Sequence, residues 1–272
     1  MYEQNIQPVQ LVESIKQGYS KPQNILFSNG RQYAVKFKNN PSGTRILVNE
    51  YIAGRLGQIL SLPIVPFEVV KINDDFINEH PILLQRKFTS GSQFASLFID
   101  NCIQLERDSQ NENITVSNKN HLAKIIVFDL WIGNTDRKEN NVLLEPNGQG
   151  EYFLYMIDHG RCFSNAKWTV KTLEKMPKLE VTLNVHKWFA GLLQSENEIQ
   201  SAIKEIMNIP EEIIRDVIQS IPDDWDVTVS EREALVAHLV NAQQLLPQLQ
   251  IQRQNKDTKK KKSKKDKSKK KK

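Results

Sequence analysis

The sequence predicts an α+β fold of two lobes, in which a small antiparallel β-sheet precedes a mainly helical region. Short runs of β-branched and aromatic residues, separated by turn signals, fill the first part of the chain. Helical periodicity dominates the later part, interrupted by one hairpin. We therefore predict a β-rich lobe over residues 1–88 with one helix at about 44–60, a helical lobe over 89–250, and a tail over 251–272.

Composition is typical of a globular chain, with 39% hydrophobic and 25% charged residues among 272. No apolar run is long enough to span a membrane, and the N-terminal MYEQNIQPVQ lacks the layout of a signal peptide. We therefore expect a cytoplasmic protein whose two cysteines, Cys102 and Cys162, are free thiols.

The formal net charge of +5 comes from the C-terminal end. The segment from Lys256 onward contains twelve Lys and two Asp, a net charge of +10, so the preceding residues carry −5. A lysine-rich, low-complexity run cannot form a core, and it is predicted to be disordered and solvated. The alternative is a nonspecific electrostatic contact with nucleic acid, the ribosome or anionic lipid, which salt would weaken.

The β-rich lobe contains a candidate ion pair. Strands are predicted at 24–27 and 32–37 around an Asn-Gly turn, and alternation places Lys36 on the face opposite its apolar neighbours. Lys36 is then either an ordinary exposed lysine or a ligand of nucleotide phosphates. The following helix carries Glu50, which is either solvated or the partner of that lysine, as in the ion pair that positions ATP in kinases.

Two more strands are predicted at 65–72 and 81–88, and a helix at 93–105. The connection between the lobes would then follow the strand that ends in Lys87 and Phe88. We expect it to form the back wall of a nucleotide cleft, with Phe88 either contacting the adenine ring or packing in the core.

The strongest functional signal is IIVFDLWIGNTDRKENNVLL, followed after a turn by YFLYMIDHGRCF. Asp136 and Asn141 lie in a polar loop after an apolar helix, and Asp158 ends the second strand of a predicted hairpin. The hairpin would bring the three side chains into one small volume. Oxygen ligands of this kind suit Mg²⁺ together with nucleotide phosphates. A further carboxylate can accept a proton from a hydroxyl, so the set indicates phosphoryl transfer.

These motifs, with YAVKF and the helix that bears Glu50, make roughly residues 9–225 similar to the HipA-like serine/threonine kinase family of bacteria. The resemblance implies a bilobal protein-kinase-like fold. It also implies that Asp136 is the catalytic base, Asn141 and Asp158 are Mg²⁺ ligands, and Lys36 contacts the ATP phosphates.

The loop from Gly18 to Pro22 stands where the family places its phosphate-covering loop, with Ser20 as a candidate autophosphorylation site. Two features depart from the family pattern: the loop has one glycine, and Lys138 replaces the common histidine after Asp-Arg.

The expected function is ATP- and Mg²⁺-dependent transfer of the γ-phosphoryl group to a Ser/Thr hydroxyl of a protein. One alternative is a nucleotide-binding pseudokinase or binding module that the basic tail docks elsewhere. Another is a lipid or small-molecule kinase, because a fold does not fix its acceptor.

Overall fold

The computed structural model describes residues 6–16, 18–105, 114–148, 150–163 and 165–249. The predicted disordered tail over 251–272 lies outside these residues. The strands are β1 Pro8–Ser14, β2 Gln23–Phe27, β3 Gln32–Lys36, β4 Phe67–Ile72, β5 Gly91–Leu97, β6 Ile103–Gln104, β7 Val142–Pro146 and β8 Tyr152–Met156. The helices are α1 Arg45–Ile59, α2 Asp74–Asn78, α3 Pro81–Gln85, α4 Leu122–Trp131, α5 Val170–Leu173, α6 Asn184–Leu192, α7 Asn197–Met207, α8 Glu211–Gln219 and α9 Val229–Leu245.

The N-terminal sheet has the strand order β1-β2-β3-β5-β4, and every neighbouring pair is antiparallel. Alternation along β3 buries Tyr33 and Val35 against α2 and α3, in a cluster that includes Phe76 and Leu83. Lys36 therefore lies on the opposite face, as predicted. The prediction of an α+β fold with a small antiparallel β lobe and a helical lobe is confirmed.

Two predicted elements between the lobes are wrong. The predicted strand at 81–88 is helix α3, in which Pro81 occupies the first turn, where no backbone donor is needed. The predicted helix at 93–105 is largely strand β5, which pairs with both β3 and β4. The sheet thus extends to Leu97, past the boundary placed at residue 88, and the connection between the lobes follows β5.

Helix α1 packs into the core of the helical lobe. Its residues Leu47 and Ile52 are fully buried in one cluster with Phe128 of α4. Burying side chains of this size stabilises the fold by about 1.5–3 kcal/mol each. Helix α1 also packs closely against β4 of the sheet. This contact depends on Gly54, where an added Cβ would overlap the ring of Phe67. Glu50, in the middle of α1, is therefore carried on a rigid support.

The helical lobe is built around α4, which is buried on nearly all sides and contacts α6, α7 and α9. This position explains its almost uninterrupted apolar sequence. The chain then forms the β7–β8 hairpin in the predicted place, with β6 added to β7. Within the described part of the chain, no helix has the length and apolar character needed to cross a bilayer. Cys102 and Cys162 are free thiols, as predicted.

A polar contact joins the two lobes, and we call Lys38, Ser92, Asp224 and Trp225 the interlobe clasp. Asp224 Oδ2 accepts hydrogen bonds from the Ser92 backbone N–H at 2.7 Å and from Lys38 Nζ at 3.1 Å. Trp225 Nε1 donates to the Ser92 carbonyl oxygen at 2.8 Å. Burial raises the pKa of Asp224, but the Ser92 and Lys38 donors outweigh it and lower the pKa to about 2.

Gly91→Ala is expected to break this clasp and destabilise the protein by about 1–3 kcal/mol. Gly91 has a φ of +116°, and an added Cβ would overlap the Asp224 carboxylate and lie 2.6 Å from Lys38 Nζ. The measurement is the free energy of unfolding from urea denaturation. Gly30→Ala is the matched control, because Gly30 also has positive φ (+74°) but open space around it. Equal losses in both variants would show that the clasp contributes nothing beyond backbone strain.

Candidate active site

A cleft of about 940 Å³ lies between the sheet and the helical lobe. It brings together most of the residues that the sequence singled out, which are Gly18, Ser20, Lys36, Glu50, Asp136, Asn141 and Asp158. Apolar side chains from both lobes complete the wall, among them Val65, Phe94 and Met156. The cleft thus has the mixed apolar and polar lining of a small-molecule site.

Lys87 and Phe88 lie outside this cleft, so the structure does not bring them to a nucleotide. Phe88 is buried in the core of the sheet, stacked on Phe37 with ring centroids 4.3 Å apart. The Lys87 carbonyl oxygen accepts a hydrogen bond from Asn39 Nδ2. The cleft wall is formed instead by the end of β5 and the residues after it, Ser96 to Ile99.

Lys36 joins the two lobes across the cleft. Its Nζ donates to the Glu50 carboxylate and, at 3.0 Å, to Asp158 Oδ1. The other Glu50 oxygen accepts from the His159 backbone N–H at 3.0 Å. Burial alone would lower the pKa of Lys36. The carboxylates of Asp158 and Glu50 outweigh this effect and raise the pKa of Lys36 above its ordinary value. In turn, the Lys36 cation holds the pKa of Asp158 well below its usual range, so both groups are charged.

Backbone geometry sets the position of Asp158. The Met156 N–H donates to the Pro63 carbonyl oxygen at 2.8 Å, and the Ile157 N–H donates to the Asn141 carbonyl oxygen at 3.1 Å. The first bond ties the end of β8 to the segment after α1, and the second ties it to the loop that carries Asn141. Asp158 itself has a φ of 57°, in the left-handed region that Asp tolerates better than most residues. The turn takes its carboxylate out of the strand direction and into the cleft.

Asp136 and Asn141 are fixed to each other. Asn141 Nδ2 donates to the Asp136 carbonyl oxygen at 2.6 Å, which leaves the amide oxygen as the atom available to a cation. The Asp136 carboxylate is partly exposed and meets two cations that the sequence analysis did not place there. Lys138 Nζ lies 2.5 Å from Oδ1, and Arg161 Nε lies 3.8 Å from Oδ2.

Below the site lies a fully buried polar network, which we call the Arg137 scaffold: Asp129, Asn134, Arg137, His159 and His186. Arg137 Nε and Nη2 donate to the two oxygens of Asp129 at 2.9 and 3.0 Å. Arg137 Nη1 donates to the carbonyl oxygens of Asn141 at 2.9 Å and Ile157 at 2.7 Å. Arg137 therefore points away from Asp136 and holds together the loop and the strand that carry the other two cleft oxygens.

Charge in the scaffold is balanced around Asp129. Its carboxylate also accepts hydrogen bonds from Asn134 Nδ2 at 2.8 Å and from His186 Nε2 at 2.9 Å. Burial alone would raise the pKa of Asp129, but Arg137 and His186 hold it far below its usual value. Burial and the Arg137 cation lower the pKa of His159 to about 3, so its neutral ring accepts from Arg137 Nη2.

Sequence reasoning did not identify Asp129 or His186, although one signal was present. Asp129 is the one acid in the apolar run of α4, and a buried carboxylate requires a partner. A second unpredicted support is Asn49 of α1. Its Nδ2 donates to the Gly160 carbonyl oxygen at 2.8 Å, and its Oδ1 accepts from Trp168 Nε1 at 2.7 Å. Helix α1 thereby fastens the segment that follows Asp158.

The residues present fit a magnesium nucleotide. Asp158 and Asn141 offer one carboxylate and one amide oxygen, which is the small set of hard ligands that Mg²⁺ takes when phosphates supply the rest. Lys36 supplies a cation on the opposite wall. The candidate phosphate loop also lines the cleft, with a turn closed by the Lys21 N–H and the Gly18 carbonyl oxygen.

A family model identifies the family of this chain, and solved structures share its fold. The family model described as HipA-like kinase matches residues 9–257. No curated protein matches the chain.

Three solved structures illustrate the shared fold. The proinflammatory kinase CtkA of Helicobacter pylori is 15% identical with a TM-score of 0.59, over 86% of this chain and 91% of that one. Hydra Fam20 with sugar is 13% identical with a TM-score of 0.54, over 92% and 88% of the two chains. The Golgi casein kinase with Mn/ADP bound is 12% identical with a TM-score of 0.52, over 88% and 73%. At these identities the likeness shows the fold alone, whereas the family match spans most of the sequence; this chain belongs to the HipA-like kinase family.

Proposed function

We propose that this kinase uses ATP and Mg²⁺ and transfers the γ-phosphoryl group to a Ser or Thr hydroxyl of a protein. The observation that carries the proposal is the Lys36 bridge to Glu50 and Asp158 across a cleft that Asp136 and Asn141 also line. This set supplies a phosphate-binding cation, two oxygen ligands for a metal and a separate carboxylate, which phosphoryl transfer requires.

Each residue then has a defined role. Lys36 binds phosphate oxygens and neutralises charge that moves toward the leaving group, while Glu50 keeps the ammonium in place. Asp158 and Asn141 would hold Mg²⁺, which when bound neutralises charge on the phosphates. Asp136 orients the acceptor hydroxyl and takes its proton. Lys138 pairs with Asp136 and would add a positive charge beside the acceptor hydroxyl.

Two further expectations belong to this proposal. Ser20 lines the cleft but is only 6% exposed, so its autophosphorylation would require the loop around it to open. We also infer a cytoplasmic location, because the proposed reaction consumes ATP.

The test is incubation of the full chain with γ-labelled ATP and Mg²⁺, with casein, phosphatidylinositol vesicles or no acceptor. We expect label on Ser or Thr of protein, and loss of that label with EDTA. Lys36→Met is expected to abolish labelling, whereas Lys187→Met, which changes an exposed lysine of α6, is not.

Other outcomes would contradict the proposal. ATP binding without transfer to any acceptor would identify a pseudokinase, and label confined to the vesicles would identify a lipid kinase. Labelling that survives EDTA would reject the requirement for a metal.

A further inference from the structure

Positive charge collects in the segment that follows Asp158, although the chain before Lys256 is acidic overall. Residues 161–178 contain five cations and one acid, whereas all residues before Lys256 sum to −5. The cations are Arg161, Lys167, Lys171, Lys175 and Lys178, and all are exposed. We call these five residues the acceptor-side cations.

A second cavity, of about 290 Å³, lies among the first of these residues. It is lined by Thr135, Arg161, Asn165, Ala166 and Lys167. Arg161, Ala166 and Lys167 line the large cleft as well, so the two cavities adjoin. Thr135 immediately precedes Asp136 in the chain. The second cavity is therefore next to the carboxylate that would take the proton of an acceptor.

The cations in this cavity have unused capacity for an anion. Arg161 is 56% exposed, and its distance of 3.8 Å to Asp136 is longer than a charge-assisted hydrogen bond. Lys167 has no ion-pair partner among the residues that the structure describes. Lys36 and Arg137, in contrast, are each held by several acceptors. Arg161 and Lys167 are thus placed to bind an anion that arrives with the acceptor.

We propose that Arg161 and Lys167, the two acceptor-side cations that line this cavity, select protein segments that carry Asp or Glu close to the phosphorylated Ser or Thr. This inference rests on the proposed protein kinase activity. A carboxylate seated between Arg161 and Lys167 would lie within about 10 Å of a hydroxyl at Asp136, because Arg161 Nε is 3.8 Å from Asp136. An extended chain covers that distance in about three residues. The acid is therefore expected within three residues of the hydroxyl.

The test compares three serine peptides, identical except for Glu, Gln or Lys at positions within three residues of the serine, with the full chain and saturating Mg-ATP. The readout is the ratio of kcat/KM for the Glu peptide to that for the Gln peptide. For an ion pair supported by hydrogen bonds we expect a ratio of about 10. The Lys peptide is expected to be the poorest substrate.

Charge reversal locates the effect. Lys167→Glu is expected to bring the ratio close to one or below and to improve the Lys peptide relative to the Glu peptide. The matched control is Lys187→Glu, an exposed lysine on α6 that lines neither cavity, which should leave the ratio unchanged. Thermal unfolding midpoints of both variants verify that the fold is intact.

Four results would overturn the inference. Equal use of the Glu and Gln peptides, or a preference that Lys167→Glu leaves intact, would reject the selection but not the kinase activity. Single-stranded DNA or anionic vesicles could instead inhibit peptide phosphorylation in a way that depends on Lys167. That result, without a preference for the Glu peptide, would reject an acidic protein as the ligand. Failure to phosphorylate any peptide or protein would reject the proposed function and this inference together.

Discussion

Asp136→Asn is expected to lower kcat by about 10²- to 10⁴-fold, the usual contribution of a positioned general base. The substitution keeps the shape of the side chain, and its backbone can still bond to Asn134 and Asn141. It removes the group that would take the proton, together with the negative charge that pairs with Lys138 and Arg161. Lys36 and Asp158 are untouched, so the dissociation constant of Mg-ATP should stay nearly the same. Steady-state kinetics together with a nucleotide-binding titration measure the two effects separately.

Asp158→Asn provides the contrast, because Asp158 is paired with Lys36 and assigned to the metal. It should weaken Mg²⁺-dependent nucleotide binding as well as kcat. Glu212→Gln, on the exposed face of α8, is the neutral control. An unchanged kcat in Asp136→Asn would reject its role as base. A loss of nucleotide affinity as large as that of Asp158→Asn would show that Asp136 acts on the metal instead.

The proximity of Lys36, Asn141 and Asp158 in one cleft could be predicted because it follows from local rules. Alternation along a strand decides the face of Lys36, and a hairpin returns Asp158 to the loop of Asn141. Both rules depend only on short continuous stretches of sequence. Glu50 could be predicted only in part. Its place on a helix follows from the sequence, but the burial of its side chain depends on how that helix packs against the helical lobe.

The segment between the lobes could not be predicted by the same rules. Pro81–Gln85 contains only three consecutive apolar residues, which helix and strand accommodate equally well. Strand β5 is buried on both faces from Ser92 to Ala95, because α1 covers one side and α2 with α3 covers the other. A strand buried on both faces lacks the alternation of apolar and polar residues that would reveal its period, and the sequence GSQFASL shows no such alternation. Because the sequence predicts residues 81–88 to be the strand before the interlobe connection, it also predicts Lys87 and Phe88 beside the nucleotide, whereas both lie outside the cleft.

The Arg137 scaffold illustrates a different limit. Arg137 and Asp129 are eight residues apart, and only the bend between α4 and the loop makes them partners. Sequence spacing alone does not decide whether Arg137 faces Asp136. The rule that a buried charge must be paired could have flagged Asp129, but it does not name the partner.

Arg137→Met is expected to destabilise the protein by about 3–5 kcal/mol, because it leaves the buried carboxylate of Asp129 without its countercharge. It also frees the carbonyl oxygens of Asn141 and Ile157, so kcat per folded molecule should fall as well. Chemical denaturation measures the first effect, and active-site-normalised kinetics measure the second. Arg215→Met, which breaks exposed ion pairs with Glu211 of α8 and Glu233 of α9, should leave the unfolding midpoint nearly unchanged.

The charge explanation has its own test in the double variant Arg137→Met/Asp129→Asn. The amide that replaces the Asp129 carboxylate can still bond to Asn134 and His186, but it no longer places an unpaired charge in the core. The double variant should therefore be more stable than Arg137→Met alone by about 1 kcal/mol or more, since removing both charges costs less than stranding one. If the second substitution destabilises the protein further, the loss in Arg137→Met comes from missing packing and hydrogen bonds rather than from the stranded carboxylate. In that case the scaffold would position the site through shape, and its charge would be incidental.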